Sequence, residues 1–234
     1  MSPTEPIDHS RTYREFRLRN IPHQLRLRRI MTLLGEIGLD GRSWADVGCS
    51  NAYIISTVLN VYRPSEVYGF DHSESNLVVA KESVPTARFE FIDLNDVVEL
   101  PRRFDVVSCF ETLEHVGNLQ RAVKSIVGLV RPGGTLLVTV PIETGLGGSL
   151  KYLLKRGIYR YSLKELPGGE SRRGEYARAL LSGSRISAFR SEPREGWGTH
   201  FGFDWRDVDD LLQELNVQYD AKSGLFSRYY VVHL

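Results

Sequence analysis

An α/β architecture follows from three features of this 234-residue sequence. Short, almost wholly apolar segments of strand length alternate with helical segments, the rhythm of a parallel sheet covered on both faces. The last two strand segments are separated only by residues 222–228, beginning Lys222-Ser223-Gly224, too short for a parallel crossover, so they must pair antiparallel. Hydrophobic residues make up 41% and charged residues 25%, the balance of a globular domain with its own core. The expectation is a seven-stranded sheet, parallel with a terminal antiparallel pair, helices on both faces, and an inserted lid after the fifth strand.

Residues 12–20 read as a short helix that Pro22 interrupts. A longer helix starts near His23. Its Leu27, Ile30, Met31, Leu34 and Ile37 follow the i, i+3, i+4 rule, and Gly38 and Gly41 end it. Residues 1–40 thus form a helical cap. Ser43–Val47 is the first strand, followed by a loop at 48–51 and a helix to about Asn60. Residues 66–70 are the second strand, closed by Asp71, and 75–83 a helix with Ser73 as N-cap. Residues 88–92 and 105–110 are the next strands. A helix over 119–130 is stopped by Arg131-Pro132-Gly133-Gly134, and 135–140 is the fifth strand. From Ile142 to about Gly202 the rhythm gives way to irregular Gly-, Arg- and Tyr-rich sequence, with one amphipathic piece near 150–156. A long irregular segment inside a compact domain usually serves a function. A helix at 205–215 and strands at 217–221 and 229–233 complete the chain. Residues 41–141 and 203–234 are then the core, and 142–202 an insertion shaped as a substrate lid.

Composition excludes several classes. No run approaches the ~20 apolar residues that span a bilayer. The first twenty residues show no apolar signal segment, and Cys49 and Cys109 are too few for a disulfide framework, so a reduced, cytoplasmic protein is expected. The net charge of +1 is unevenly spread. Residues 1–30 carry 7 basic against 3 acidic side chains, and 151–194 carry 11 against 4, while the rest is acidic. Two basic segments on an acidic body suit an anionic partner or are simply solvated helical faces.

The most informative stretch is Ala45-Asp46-Val47-Gly48-Cys49-Ser50-Asn51-Ala52, joining the first strand to the first helix of the sheet. In an open α/β sheet, ligands bind beyond the carboxyl ends of the strands. A small-residue loop there lets backbone N–H groups approach a ligand. Asp71 follows 23 residues after Gly48, where a carboxylate accepts ribose hydroxyls. Alternatively it serves as the N-terminal carboxylate of the helix after Ser73. The dinucleotide pattern G-x-G-x-x-G is broken by Ser50 and Tyr53, which weakens a nicotinamide-dinucleotide site.

These residues resemble the class I S-adenosylmethionine-dependent methyltransferases, whose first motif runs acidic-x-G-x-G-x-G. Asp46, Gly48, Ser50 and Ala52 take its four marked positions, two glycines being replaced by small residues. The resemblance extends through Glu66-Val67-Tyr68-Gly69-Phe70-Asp71, Phe91-Ile92-Asp93-Leu94, Phe104-Asp105-Val106-Val107, and the turn at Arg131-Pro132-Gly133-Gly134. It covers about residues 40–141 and implies a Rossmann-like fold. It also implies S-adenosylmethionine held by Asp46, Gly48, Cys49, Ser50, Asp71, His72, Asp93, Leu94 and Phe110, with Asp71 at the ribose and Asp93 near the adenine amine.

Glu111-Thr112-Leu113-Glu114-His115 lies on the acceptor side and is similar to the corresponding part of ubiquinone-biosynthesis O-methyltransferases. If the segment is helical, Glu111, Glu114 and His115 share one face. Three readings stand. His115 is a general base; the trio binds a divalent cation, Mg or Mn rather than zinc; or the trio anchors the turn. His200 is a second candidate base. Tyr152, Tyr159 and Tyr161 among Lys151, Lys155, Arg156 and Arg160 suit a sugar, a glycan or an anionic acceptor, and 149–160 suit contact with an anionic membrane surface. Arg11, Tyr13, Arg14 and Arg17 are placed to close over the cofactor or a phosphate. The expected activity is O-methylation of a small molecule such as a sugar, a glycan or a lipid-linked precursor. A NAD-dependent oxidoreductase and a non-catalytic binding module are the alternatives. A nucleic-acid methyltransferase is the rival within the class, without a recognisable RNA-binding module.

Overall fold

The structure is a computed structural model, and it describes residues 20–96, 100–145, 169–190 and 201–234. Helix α1 (Ile21–Ile37) opens it, with Pro22 in the first turn, where its missing N–H is no loss. Gly38 closes α1 in the left-handed conformation (φ 75°) and returns its N–H to the last carbonyls. Then come β1 (Ser43–Val47), α2 (Tyr53–Leu59), β2 (Glu66–Asp71), α3 (Glu74–Ser83), β3 (Arg88–Phe91) and β4 (Phe104–Phe110). They are followed by α4 (Leu119–Gly128), β5 (Val130–Pro141), α5 (Gly169–Ser182), α6 (Trp205–Glu214), β6 (Gln218–Ser223) and β7 (Ser227–His233).

The seven strands form one sheet in the order β3-β2-β1-β4-β5-β7-β6. Strands β1 to β5 pair in parallel, and β7 runs antiparallel between β5 and β6. The order reverses between β1 and β4, so a crevice opens at the carboxyl ends of those two strands. Strand β4 is buried along all 7 residues, as a central strand covered on both faces must be. One face carries Ala122, Val123 and Ile126 of α4 and Val208 and Leu212 of α6 against Val107, Cys109, Val138 and Tyr230. The other carries Ile30, Leu33 and Leu34 of α1, Ile55 and Val58 of α2, and Leu77 and Ala80 of α3 against Trp44, Val106 and Leu137.

Two sequence expectations need correction. The stretch 142–202 is not irregular throughout: α5 is a 14-residue helix, followed by a 3-10 turn at Ser187–Phe189. Tyr176 and Leu180, one helical turn apart, pack with Ile186 and Phe201 in a small cluster of their own. Gly169, Gly174 and the charged residues around the two buried ones hid the helix, because two buried side chains leave almost no periodic signal. Strand β5 also begins at Val130 rather than Thr135, because Val130 pairs with Phe104 across an irregular register that absorbs Arg131-Pro132-Gly133-Gly134. No helix among the described residues is long and apolar enough to cross a membrane. Residues 12–19, the piece at 149–160, Tyr152, Tyr159, Tyr161 and His200 lie outside the described residues.

Candidate active site

The chain leaves β1 at Val47 and turns sharply. Gly48 takes φ 82°, and a Cβ there would collide with the Thr112 side chain of the turn after β4. Ser50 and Ala52 are also left-handed, at φ 49° and 60°. Small side chains carry this path at a cost of about 1–2 kcal/mol each, and the end of β2 holds it in place. The N–H groups of Gly48 and Cys49 both donate to the Phe70 carbonyl, at 2.7 and 3.0 Å. The Ser50 N–H donates to Asp71 Oδ2 at 2.8 Å. Two buried oxygens on the same loop, Ser50 Oγ and Asn51 Oδ1, have no hydrogen-bond partner among the described residues. Buried polar atoms normally find partners. A glycine cradle with two unmatched acceptors is therefore the local chemistry of a polar ligand site, and it fits a nucleoside with an amino-acid tail.

Asp71 faces the loop. Its Oδ1 accepts from the Ser73 N–H at 2.9 Å and lies 3.6 Å from His72 Nδ1. Ser73 in turn caps α3, its hydroxyl accepting from the Asn76 N–H at 3.3 Å. The reading of Asp71 as a carboxylate at a helix N-terminus is met. The carboxylate ties the loop and stands at a helix N-terminus, and each oxygen keeps a lone pair for a ligand hydroxyl. Asp46 sits beneath the loop, 2% exposed, accepting from Ser108 Oγ at 2.6 Å. Burial pushes its pKa up to about 7, against the Ser108 hydrogen bond, and the nearby Asp71 charge adds to the rise. Its place is the floor that joins β1 to β4. Cys49 is buried, and burial pushes its thiol well above the ordinary value, so it packs rather than reacts.

Asp93 follows β3. Its Oδ1 accepts from the backbone and side-chain nitrogens of Asn95, at 2.9 and 3.0 Å. Asn95 Oδ1 then accepts from the Gly117 and Asn118 N–H groups at 2.7 and 3.0 Å. The Asp93 turn and the turn after β4 are thereby laced together, and Leu94 and Phe110 are both buried, in the cores on opposite faces of the sheet.

The acceptor side departs from expectation. Residues 113–115 form a turn, not a helix, and Glu111 is left-handed at φ 49°. Glu111, Glu114 and His115 therefore do not share one face. The Glu111 carboxylate pairs with Arg26 of α1 at 2.8 Å, while Glu114 is buried at 2% exposure. Among the described residues no three His, Cys, Asp or Glu side chains gather as a metal group, so this trio is not the predicted Mg or Mn site. His115 is half-buried on the same turn, its N–H donating to the Thr112 carbonyl at 3.0 Å.

Sequence reasoning missed two arginines here. Arg26 is 7% exposed, and besides Glu111 its Nε donates to Ser227 Oγ at 3.0 Å. It therefore clamps α1 to the ends of β4 and β7. Its position four residues before Ile30, on the buried stripe of α1, was the legible signal. Arg190 reaches from the insertion to the carbonyls of Leu113 and Val116, and lies 5.3 Å over the Phe203 ring. Nothing local in the sequence marks it.

Residues 45–136 match the methyltransferase-domain family. This stretch is a methyltransferase domain. The chain is 35% identical over 102 residues to a ubiquinone biosynthesis O-methyltransferase of Proteus mirabilis, covering 42% of this chain and 41% of that protein. It is 32% identical over 117 residues to the enzyme of that name from Pseudomonas savastanoi, covering 48% and 50%. The chain thus spans half or less of the length of these curated relatives. Among solved structures, magnesium protoporphyrin IX methyltransferase from Synechocystis, with bound S-adenosylhomocysteine, superposes with a TM-score of 0.60 at 17% identity. The match covers 96% of this chain and 92% of that one. A methyltransferase from Clostridium acetobutylicum superposes with a TM-score of 0.57 at 11% identity, over 89% and 90%. At such identities the likeness is one of fold, and it reproduces the methyltransferase sheet with its terminal antiparallel pair.

Proposed function

We propose that this chain transfers the methyl group of S-adenosylmethionine to an oxygen atom of a small molecule. The observation that carries the reading is the left-handed loop at Gly48–Ala52, gripped by Phe70 and Asp71, with two unmatched buried oxygens beside them. The methyltransferase-domain match over 45–136 supports this nucleoside over a dinucleotide. The similarity to O-methyltransferases favours oxygen as the acceptor atom.

In this reading each part of the rim has one role. The loop 48–52 holds the amino-acid end of the cofactor, Asp71 the ribose hydroxyls, and Asp93 with Leu94 and Phe110 the adenine. When bound, the cofactor supplies a methyl group on a sulfonium, already a good leaving group. The chain's own task is to align the acceptor and take its proton. His115 is the described side chain suited to that proton at neutral pH. Glu111, held by Arg26, fixes the wall beside it. The aromatic and basic residues at 151–161 support a sugar, a glycan or a lipid-linked precursor as the finer acceptor class, to be assayed in a panel beside phenols.

The test is transfer of a labelled methyl group from S-adenosylmethionine to that panel. Labelled product with at least one oxygen acceptor, reduced ten-fold or more in His115→Ala with cofactor affinity kept, supports the reading. Cofactor binding without transfer to any acceptor, peptide or RNA in the panel favours the binding-module alternative.

A further inference from the structure

A cavity of about 330 Å³ lies between the first turns of α1 and the β6–β7 hairpin. Its walls include Leu25, Arg26 and Arg29 of α1, Lys222 of β6, Leu225 of the hairpin turn, and Tyr229 of β7. The hairpin turn meets the end of β5: Ser227 pairs with Pro141, and the Ile142 N–H donates to the Phe226 carbonyl at 2.9 Å. The cavity therefore opens on the carboxyl rim of the sheet, on the far side of the β4 turn from the Gly48 loop. Arg26 and Glu111 join the two sides, since Arg26 lines the cavity and Glu111 belongs to the turn whose Thr112 lies against Gly48.

The charges in this cavity do not balance. Arg26 is matched by Glu111 at 2.8 Å. Arg29 meets only Glu36, at 3.4 Å through a carboxylate that is 57% exposed, and Lys222 makes no ion pair among the described residues. Two cations thus stand at a pocket with apolar flanks, Leu25 and Leu225 being 49% and 59% exposed. Solvent-exposed leucines at a pocket mouth suit an apolar stem, and a pair of cations suits a dianion. Burial raises the Tyr229 phenol, and the charges of Arg26, Glu111 and Arg29 all reach it, so it stays a neutral donor within this group.

We propose that this cavity binds the acceptor by an organic phosphate, with the phosphate on Arg29 and Lys222 and its apolar stem between Leu25 and Leu225. This rests on the methyltransferase reading and adds the substrate class to it. A small sugar phosphate and a lipid-linked phosphate share this chemistry, and stem length separates them.

Isothermal titration tests the proposal on the full chain, with and without saturating S-adenosylhomocysteine, using phenyl phosphate, octyl phosphate, phenol and inorganic phosphate. Phenyl or octyl phosphate binding at least ten-fold more tightly than phenol and inorganic phosphate is the expected result, and the tighter of the two identifies the source. The double variant Arg29→Gln/Lys222→Gln should lose that ten-fold preference and keep its S-adenosylhomocysteine affinity, because both side chains lie away from the cofactor loop. Equal binding of phenol and the phosphates, or an unchanged preference in the variant, overturns the proposal. If organic phosphates fail while S-adenosylhomocysteine binds, this inference alone falls; if S-adenosylhomocysteine fails to bind, the methyltransferase reading falls with it.

Discussion

Asp71 accepts backbone N–H groups on both carboxylate oxygens, from Ser50 at 2.8 Å and Ser73 at 2.9 Å. Its removal by Asp71→Ala leaves two donors without partners, at about 1–3 kcal/mol each where water cannot replace the acceptor. A melting temperature lowered by several degrees is expected in the absence of any ligand. Asp71→Asn, which keeps an acceptor and loses the charge, should recover most of that stability. Gly48→Ala meets a second constraint, because its φ of 82° and the Thr112 side chain both oppose a Cβ. Adding Thr112→Ala should return part of the loss, a coupling of about 0.5–3 kcal/mol by chemical denaturation. Strict additivity would show that the collision is not what excludes a side chain at Gly48. Gly48 and Asp71 were legible in the sequence because one loop and one strand end define them. Arg26 and Arg190 were obscure because their partners, Glu111 and the Leu113 and Val116 carbonyls, come from distant parts of the chain.

At the level of elements, the Arg26–Glu111 pair fastens α1 over the sheet. Their side chains are 8% and 17% exposed, so Arg26→Ala leaves a largely buried carboxylate alone, at about 3 kcal/mol. Glu111→Gln in the same chain removes the stranded charge, and the double variant should be more stable than Arg26→Ala by urea unfolding. Helix α5 behaves differently, since its buried residues belong to a separate small cluster. Leu180→Ala should speed hydrogen exchange throughout 172–182 and leave the exchange of β4 unchanged. Matching acceleration in β4 would mean that the insertion and the core unfold together. The strands were readable as runs of apolar residues. The turn at 113–115 was not, because Glu111, Glu114 and His115 at i, i+3 and i+4 imitate a helix face while the left-handed Glu111 ends any such register. The same spacing suggested a metal trio that the turn disperses.

At the scale of the whole molecule, Asp46 is a buried acid at the switch point. Asp46 titrates near 7 in the folded chain against an ordinary 3.8, so the folded state holds this proton more tightly than the unfolded state does. Its contribution to stability is complete below about pH 4 and is lost as pH rises through 7, at roughly 1.4 kcal/mol per pH unit. Asp46→Asn keeps an acceptor for Ser108 Oγ. It should flatten the pH profile of unfolding between 4 and 7 and exceed the parent chain in stability at pH 8. An unchanged profile would assign the proton elsewhere. The antiparallel closure was readable from connection length, because the seven residues between the last two strand segments are too few for a parallel crossover. The cavity at the β6–β7 hairpin was not, because it joins the first turns of α1 to the last thirteen residues.

In the proposed function, the rim at the ends of β1 and β2 holds S-adenosylmethionine through the Gly48 loop and Asp71. Calorimetric titration with S-adenosylhomocysteine tests it most directly, on the parent chain and on Asp71→Asn. The account predicts one site per chain, weakened ten-fold or more in the variant while the fold is kept. No binding at millimolar ligand by the folded parent chain, or equal affinity in the two proteins, would contradict it.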